Sequence, residues 1–547
     1  VRILGLNAVF HDPAAALVVD GRIVAAAEEE RFTRRKHGHA NNPFAAWELP
    51  ANAAAWCLAH AGLRPEDVDA VAYSYDPALA TPYSGDVMAG GWDALRTLYA
   101  ERAPLFLKTA LPGIDPAALQ YVPHHVAHAA SAGLASPYRD CAVLVLDGRG
   151  ERAAHLAGRY VDGQLEVLRI QELPHSIGLL YEDITEHLGF VRSNDEYKVM
   201  ALASYGEPRF LPELREIVRV TGDGGFTVAP FDWNTLVKKV QPGVEEWGPD
   251  HADLASSMQI RLQEVLLELV TWLHGVTGAR FLTMAGGVAL NCVANSFLLE
   301  HGPFDDIWVQ PASSDSGTAL GGALHLAEVH GDRTTPMAGA DLGRGWSDAE
   351  LEAWLRTAQV PHTRPADLAE QVGQILADNG VVAWFQGRSE YGPRALGYRS
   401  LLAHPGHASN LERMNEVKGR EQFRPIAPMV LAERHHDIFD GGPYPSPYML
   451  FVHRVKPEWR DRIPAVVHVD GTARVQTVHR ERQPLLHETI SAFARRSGLP
   501  VVVNTSLNTA GRPIVDDPRD ALELFGSGPV QALVLGPFLV RRAAMFA

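Results

Sequence analysis

The sequence predicts an α/β fold in two domains, an N-terminal domain with duplicated halves and a C-terminal α+β domain. Three observations carry this expectation. A strand–turn–strand run at the N-terminus returns at Cys141, glycine-bearing turns repeatedly join strands to helices, and residues 331–346 (GDRTTPMAGADLGRGW) read as a linker. A chain of 547 residues also exceeds what one hydrophobic core usually serves. The expected boundaries are 1–340 and 347–547.

The first meander runs through VRILGLN and AALVVDGRIVAAAEEERF, with Asp20-Gly21 as its hairpin turn. A helix is expected near Pro50–Ala61 and a strand at DAVAYSY. The second meander, CAVLVLDGRGERAAHLAGRYVDGQLEVLRI, turns at Asp162-Gly163. Two such units, each followed by helices, suggest the two halves of the actin and sugar-kinase ATPase (ASKHA) architecture, whose hairpins face a nucleotide phosphate cleft. A long amphipathic helix over Asp253–Gly275 leads into RFLTMAGGVALN, and the strand DDIWVQP leads into SSDSGTALGGAL. Gly148, Gly286, Gly287 and Gly317, with Asn291 beside them, stand where backbone N–H groups can approach phosphate or sugar. Beyond the linker, helices at SDAELEAWLRTA and DLAEQVGQILADNG, then strands at VVAWFQG, PVVVNTSLN and QALVLGP, make the second domain.

Composition narrows the function. The hydrophobic fraction of 46% and charged fraction of 21% fit a globular chain. A net charge of −16 argues against a general nucleic-acid or anionic-membrane surface, though local positive charge can still hold an anionic substrate. Cys57, Cys141 and Cys292 form no CxxC pair, so neither a disulfide framework nor a thiolate zinc site is expected. With no apolar run long enough to span a bilayer and no signal-peptide pattern, a cytoplasmic protein is expected.

Two clusters point to chemistry. In YVPHHVAHAASA, Pro123 suits the first position of a helix, placing His124 and His128 on one face and His125 about 100° away. Asp147, ending the second meander's first strand, and Asp315, in the SSDSG turn, complete a nitrogen/oxygen set suited to Fe(II), Mn(II) or Zn(II). His11, the counterpart of Asp147 in the first meander, is a candidate general base. Lys198 opens a helix after an acidic turn. The second cluster spans 381–430, where Arg388, Arg394, Arg399, Arg413, Lys418, Arg420 and Arg424 outnumber four glutamates, a net of +3. Spaced by glycine and proline, these side chains read as forks held by turns to grip phosphate or carboxylate. Arg474, Asn504, Ser506 and Asn508 add donors downstream.

Taken in order, FHDPAAALVVDGRI, HHVAHAASA, LVLDGRGE, AGGVALNCVAN, SSDSGTALGGAL, QGRSEYGPRALGYRS, KGREQFRPIAP and VVNTSLN closely resemble the NodU/CmcH family of antibiotic and Nod-factor O-carbamoyltransferases. The resemblance covers almost the whole chain. It implies a TsaD-like N-terminal domain of the ASKHA fold and a YrdC-like C-terminal domain. It further implies two half-reactions: carbamoyl adenylate is made from carbamoyl phosphate and ATP with Mg²⁺, then its carbamoyl group passes to a hydroxyl of a small natural product. By motif, His124, His128, Asp147 and Asp315 are implied metal ligands, for Fe²⁺ or another divalent transition metal. His11 is the implied acceptor base, Lys198 and the glycines line the adenylate, and Lys418 and Arg424 act with the other basic residues on the phosphates. Neither nucleic acid nor membrane is expected as a partner, and a homodimer is allowed. The rivals are a threonylcarbamoyl-adenylate, tRNA-modifying fusion and an ATP-switched actin- or chaperone-like binding protein. The acceptor is not identified by the sequence; the aromatic and glycine-rich stretch Ala78–Leu107 is the candidate for part of its pocket.

Overall fold

The computed structural model describes residues 1–38, 49–80, 91–244 and 246–545. Residues 81–90 of the candidate acceptor stretch therefore lie outside the described residues. The chain forms two compact units, Val1–Gly339 and Ala340–Ala547.

The N-terminal unit contains two five-stranded sheets of one topology. In the first, β1 (Arg2–Asn7), β2 (Ala14–Val19) and β3 (Arg22–Glu28) form an antiparallel meander, and β4 (Ala70–Tyr73) and β5 (Leu119–Tyr121) add in parallel beyond β1. In the second, β6 (Cys141–Leu146), β7 (Ala153–Val161) and β8 (Gln164–Glu172) form the meander. A separate hairpin of β9 (Val218–Val220) and β10 (Phe226–Val228) precedes β11 (Phe281–Ala285) and β12 (Asp306–Val309), which add in parallel beyond β6. The orders β3-β2-β1-β4-β5 and β8-β7-β6-β11-β12 are the same order twice, so the unit consists of duplicated halves. Both meander turns place two successive residues at positive φ, Asp20-Gly21 at 48° and 74° and Asp162-Gly163 at 46° and 81°. Only Gly and Asn/Asp-type residues enter that region cheaply, and its twist matches the flanking strands.

Small residues set the packing between the halves. Helix His124–Gly133 (HHVAHAASAG) and helix Ser316–Val329 (SGTALGGALHLAEV) lie against each other, and Ser316–Val329 also covers β1. The approach is backbone to backbone. A Cβ at Gly321 would fall 1.8 Å from the Ala127 carbonyl oxygen, and one at Gly5 would fall 1.8 Å from that of Ala319. Pro123 is the N-cap (φ −52°, ψ 136°) rather than the first helical residue, so the helix opens on His124 itself. The long amphipathic helix outruns its apolar pattern at both ends, spanning Pro249–Thr277. Pro249 opens its first turn, and Gly278 closes it in the left-handed conformation.

The C-terminal unit is a seven-stranded mixed sheet of order β19-β15-β20-β14-β13-β21-β22. Its strands are β13 (Val382–Phe385), β14 (Arg399–Ala403), β15 (Ala427–Leu431), β19 (Gln476–Val478), β20 (Val501–Ser506), β21 (Ala532–Leu535) and β22 (Phe538–Arg541). The short β16 (Phe439–Asp440), β17 (His453–Val455) and β18 (Thr472–Ala473) make a side sheet. Helices Leu368–Ala377 and Pro484–Ser497 pack together, and Trp384, Phe385 and Phe493 fill the core. β14 begins, β20 ends and β15 begins at one end of the sheet, since Ser400 pairs with Ser506 and Ala427 with Asn504. The basic 381–430 segment and the Ser506–Asn508 loop therefore share that end. Among the described residues no helix is long and apolar enough to cross a membrane.

Because Gly321 leaves no room for a methyl group, Gly321→Ala is expected to destabilise the N-terminal unit by about 1–3 kcal/mol. The check is the midpoint of its urea unfolding transition, which should fall; an unchanged midpoint would show that the helices separate freely.

Candidate functional site

The close helix pair delivers two imidazoles and one carboxylate to a single point, and the second meander delivers the other carboxylate. His124 and His128 are one helical turn apart, Asp315 is the N-cap of the facing helix, and Asp147 follows β6. His124 Nε2 lies 3.4 Å from Asp147 Oδ2 and 3.4 Å from Asp315 Oδ1; His128 Nε2 lies 3.7 Å and 3.4 Å from the same atoms. All four residues are buried, and one ligand atom from each falls within 4.8 Å of the others.

These separations are long for hydrogen bonds. They suit ligands around a common ion, because donors about 2.1 Å from one centre stand roughly 3.0–3.4 Å apart. Both Nε2 atoms are buried without a hydrogen-bond partner. The Nδ1 of His124 lies 3.1 Å from the Ser74 carbonyl oxygen, which keeps a proton on Nδ1 and makes Nε2 the atom that would give up its proton to bind a cation. The residues therefore fit a divalent transition cation. Burial opposes charge on His124 and His128, yet the two carboxylates hold both imidazoles above their usual pKa, and Asp147 is held well below the carboxylate range by the histidines. His125 has the opposite character. Burial and its charged neighbours push it well below the histidine range, and both its ring nitrogens are unpartnered.

A second cluster lies at the turn after β1. Asp12 bridges two histidines, with His11 Nδ1 at 3.0 Å from Oδ2 and His37 Nδ1 at 2.7 Å from Oδ1. The rings stack with centroids 4.3 Å apart, and each has a buried, unpartnered Nε2. Phe10 and Asp12 both hold positive φ, 68° and 48°, strain of a kind concentrated at functional sites. Burial disfavours the charged imidazole, but Asp12, with Asp315 and Glu196 beyond it, pushes His11 up to about 10. Glu196 is itself raised to about 7, chiefly by burial.

The remaining N-terminal candidates divide. Gly287 N–H donates to Asp147 Oδ1 at 3.2 Å, and Gly286, at φ 91°, lies so close to β6 that a Cβ would meet the Leu146 carbonyl oxygen at 2.1 Å. A Cβ on Gly148 would sit 3.0 Å from Glu182, and one on Gly317 would sit 2.0 Å from the Ala312 carbonyl oxygen. Asn291 caps helix Cys292–His301 and exchanges hydrogen bonds with Gln259. Lys198 is paired with Asp195 at 3.0 Å.

In the C-terminal unit, Lys418 Nζ donates to the Ser506 carbonyl and hydroxyl oxygens (2.5 and 2.9 Å) and to the Asn508 carbonyl and side-chain oxygens (3.0 and 2.6 Å). Three candidate residues thus meet directly. Asn504 Nδ2 donates to Ala395 O and Gln476 Oε1, tying the turn before β14 to β19 and β20. Arg399 departs from the expected anion fork. It is fully buried, stacks 3.7 Å over Phe385 and donates to the carbonyl oxygens of Gln386, Tyr398, Arg344 and Gly387. Arg388 likewise donates to Gly343 and Leu342 carbonyls. Arg420 donates to Asn415 and Pro425, and Arg424 pairs with Glu421 at 3.3 Å. Arg394 and Arg474 are half-buried, and Arg474 Nε has no partner.

The profile described as carbamoyltransferase N-terminus matches residues 2–324, and that described as carbamoyltransferase C-terminus matches residues 373–542. The chain belongs to the carbamoyltransferase family. Nodulation protein NolNO of Sinorhizobium fredii is 36% identical, the match covering 98% of this chain and 80% of that one. Nodulation protein U of Rhizobium tropici is 32% identical over 96% and 93% of the two chains. Uncharacterized protein sll1178 of a Synechocystis strain is 36% identical over 99% and 97%.

Sequence reasoning missed His37 and Glu196 in this carbamoyltransferase. His37 lies in a basic run (RRKHGH) that reads as a solvated surface, and only the fold carries it to Asp12. A histidine accepts a proton only when neutral, so a reaction that uses His11 as its base is expected to slow as pH drops below the His11 pKa. Asp12→Asn removes the charge that raises this pKa and should move the acid limb of the transfer profile downward by about one unit or more. A pH–rate series on both proteins checks this; superimposable limbs would show that Asp12 does not govern the base.

Proposed function

We propose that this carbamoyltransferase is ATP-dependent and acts through carbamoyl adenylate. In the C-terminal unit, a water attacks the phosphorus of carbamoyl phosphate, the P–O bond to the carbamoyl group breaks, and inorganic phosphate and carbamate result. A carbamate oxygen attacks the α-phosphorus of Mg²⁺-bound ATP, the bond to the β,γ-pyrophosphate breaks, and carbamoyl adenylate forms. The support is chemical: a net-positive segment in an acidic chain, gathered at the sheet end where Lys418 meets Ser506 and Asn508. Arg394, Arg420, Arg424 and Arg474 are the cations proposed to meet phosphate oxygens, while Arg399, Arg388 and Asn504 hold the turns that present them. Confining both polyanions at one sheet end places carbamate beside its electrophile and away from water.

In the N-terminal unit, the acceptor hydroxyl attacks the carbamoyl carbon, its proton goes to His11 Nε2, and the bond to AMP breaks. Asp12 orients the His11 ring and His37 completes the pair. A divalent cation held by His124, His128, Asp147 and Asp315, of which iron(II) is one candidate, would supply Lewis-acid polarisation. The glycines at 148, 286, 287 and 317 let backbone approach the adenylate, and Lys198 borders it. With a net charge of −16, a small molecule suits the acceptor role better than a tRNA. The observation that carries this reading is the buried, unpartnered His11 Nε2 on an Asp12-anchored ring, which accepts the proton in its neutral form, a form that grows as pH rises toward its pKa of about 10.

Purified protein given carbamoyl phosphate, ATP and Mg²⁺ is expected to release pyrophosphate. Arg424→Gln should cut that release by about 10²-fold or more. His11→Asn should preserve it and abolish acceptor carbamoylation, read by mass spectrometry. Equal loss of both steps in the His11 variant would contradict the division of labour.

A further inference from the structure

The turn that carries His11 is held from three sides, and one of the holders has no part in the chemistry above. Asn7, fully buried at the end of β1, donates through Nδ2 to the carbonyl oxygens of His11 (2.7 Å) and Asp12 (2.9 Å). Ser74 Oγ in turn donates to Asn7 Oδ1 at 3.2 Å. Asp12 anchors the His11 ring. The third hold is on Phe10, whose φ of 68° is costly for a bulky residue and persists only where the surroundings fix it.

The Phe10 ring is caged. Tyr75 and His124 meet it edge-on at 5.6 and 5.3 Å, and the Arg96 guanidinium lies over it, 5.2 Å from its centre. Arg96 belongs to helix Gly91–Glu101, within the stretch that the sequence marks for the acceptor pocket. The same helix reaches the cage a second time, since Thr97 Oγ1 and the Tyr75 hydroxyl are 3.3 Å apart.

Little else explains where Arg96 sits. Its NH1 is 2.5 Å from Asp93 Oδ1, but Asp93 is 80% exposed, and pairs with so exposed a partner contribute little. Its Nε is buried without a hydrogen-bond partner, which is unfavourable. A guanidinium kept there is kept by the aromatic face it covers.

We propose that Arg96 is a positioning residue for carbamoyl transfer: through the Phe10 ring, helix Gly91–Glu101 holds the His11 turn in the shape that presents the base. This rests on the reading of His11 as the base and extends it to a helix of the candidate acceptor stretch. Arg96 acts through Phe10 rather than on His11 directly.

The probe is diethyl pyrocarbonate, which carbethoxylates neutral imidazole nitrogens, applied to the full chain and read histidine by histidine by peptide mass spectrometry. A loosened turn exposes the His11 ring and weakens its hold on Asp12, and both changes speed labelling. His11 should label about threefold or more faster in Arg96→Met and in Phe10→Leu than in the wild type, the size of one cation–π contact. Arg96→Lys keeps a cation for the ring and should label within about twofold of the wild type. Because Arg96 works through the ring, the double variant Arg96→Met with Phe10→Leu should label no faster than Phe10→Leu alone. His155, buried in β7 with its ring nitrogens 3.1 and 3.0 Å from the Val145 and Gly224 carbonyl oxygens, is the internal control and should not change.

An unchanged His11 rate in Arg96→Met, an Arg96→Lys variant as fast as Arg96→Met, a double variant that multiplies the two effects, or an equal rise at His155 overturns the proposal. The readout needs no turnover. Acceptor carbamoylation that survives in His11→Asn would sink the base assignment, while the labelling still decides whether Arg96 holds this ring.

Discussion

The helix Ser316–Val329 reaches the helix His124–Gly133 at backbone distance, and the whole N-terminal site depends on that approach. Gly321 against the Ala127 carbonyl permits it, as Gly5 does on the β1 side. Were the helices spaced by ordinary side chains, interaxial distances of about 8–10 Å would apply. Asp315 would then stand away from His124 and His128. The site is therefore a product of what is missing from the sequence, side chains at a few helix positions, as much as of the histidines and aspartates themselves.

The two units handle buried charge differently. At the histidine cluster, two imidazoles and two carboxylates are buried with their polar edges turned toward one another and poorly hydrogen-bonded. Such a group costs free energy unless a further charge completes it. In the C-terminal unit, cations are instead used as struts. Lys418 binds four oxygens of the Ser506–Asn508 loop, and Arg399 collects carbonyls from the turn around Gly387 while its flat face rests on Phe385. Buried backbone carbonyls need donors, and a guanidinium supplies five in one plane. These struts shape the loops that carry the more exposed arginines.

Much of this was legible in the residues. The meanders declared themselves through Asp-Gly turns and β-rich runs, and the i, i+4 histidine pair follows from helical spacing alone. Joining Asp147 to Asp315 needed the duplicated architecture, since 168 positions separate them in the chain and only the paired halves bring them together. What failed to show were contacts dictated by tertiary packing. His37 sits among arginines and lysine and carries no local signal of its partner. Arg399 is indistinguishable in sequence from its neighbours Arg388 and Arg394, yet its position at the start of a central strand turns it inward. Asn291 stands beside a glycine turn, as a nucleotide contact would, but the helix that begins after it needs a cap. A side chain's type announces its chemistry, while burial and neighbouring orphaned backbone groups decide whether that chemistry is spent on the fold.

The central claim is that His124, His128, Asp147 and Asp315 form one cation site assembled from both halves. Diffraction from the full chain at the absorption edge of its bound metal tests it most directly. One strong anomalous peak is predicted among these four side chains, lost in His128→Ala and kept in His125→Leu. A peak elsewhere, or equal loss in both variants, would contradict it.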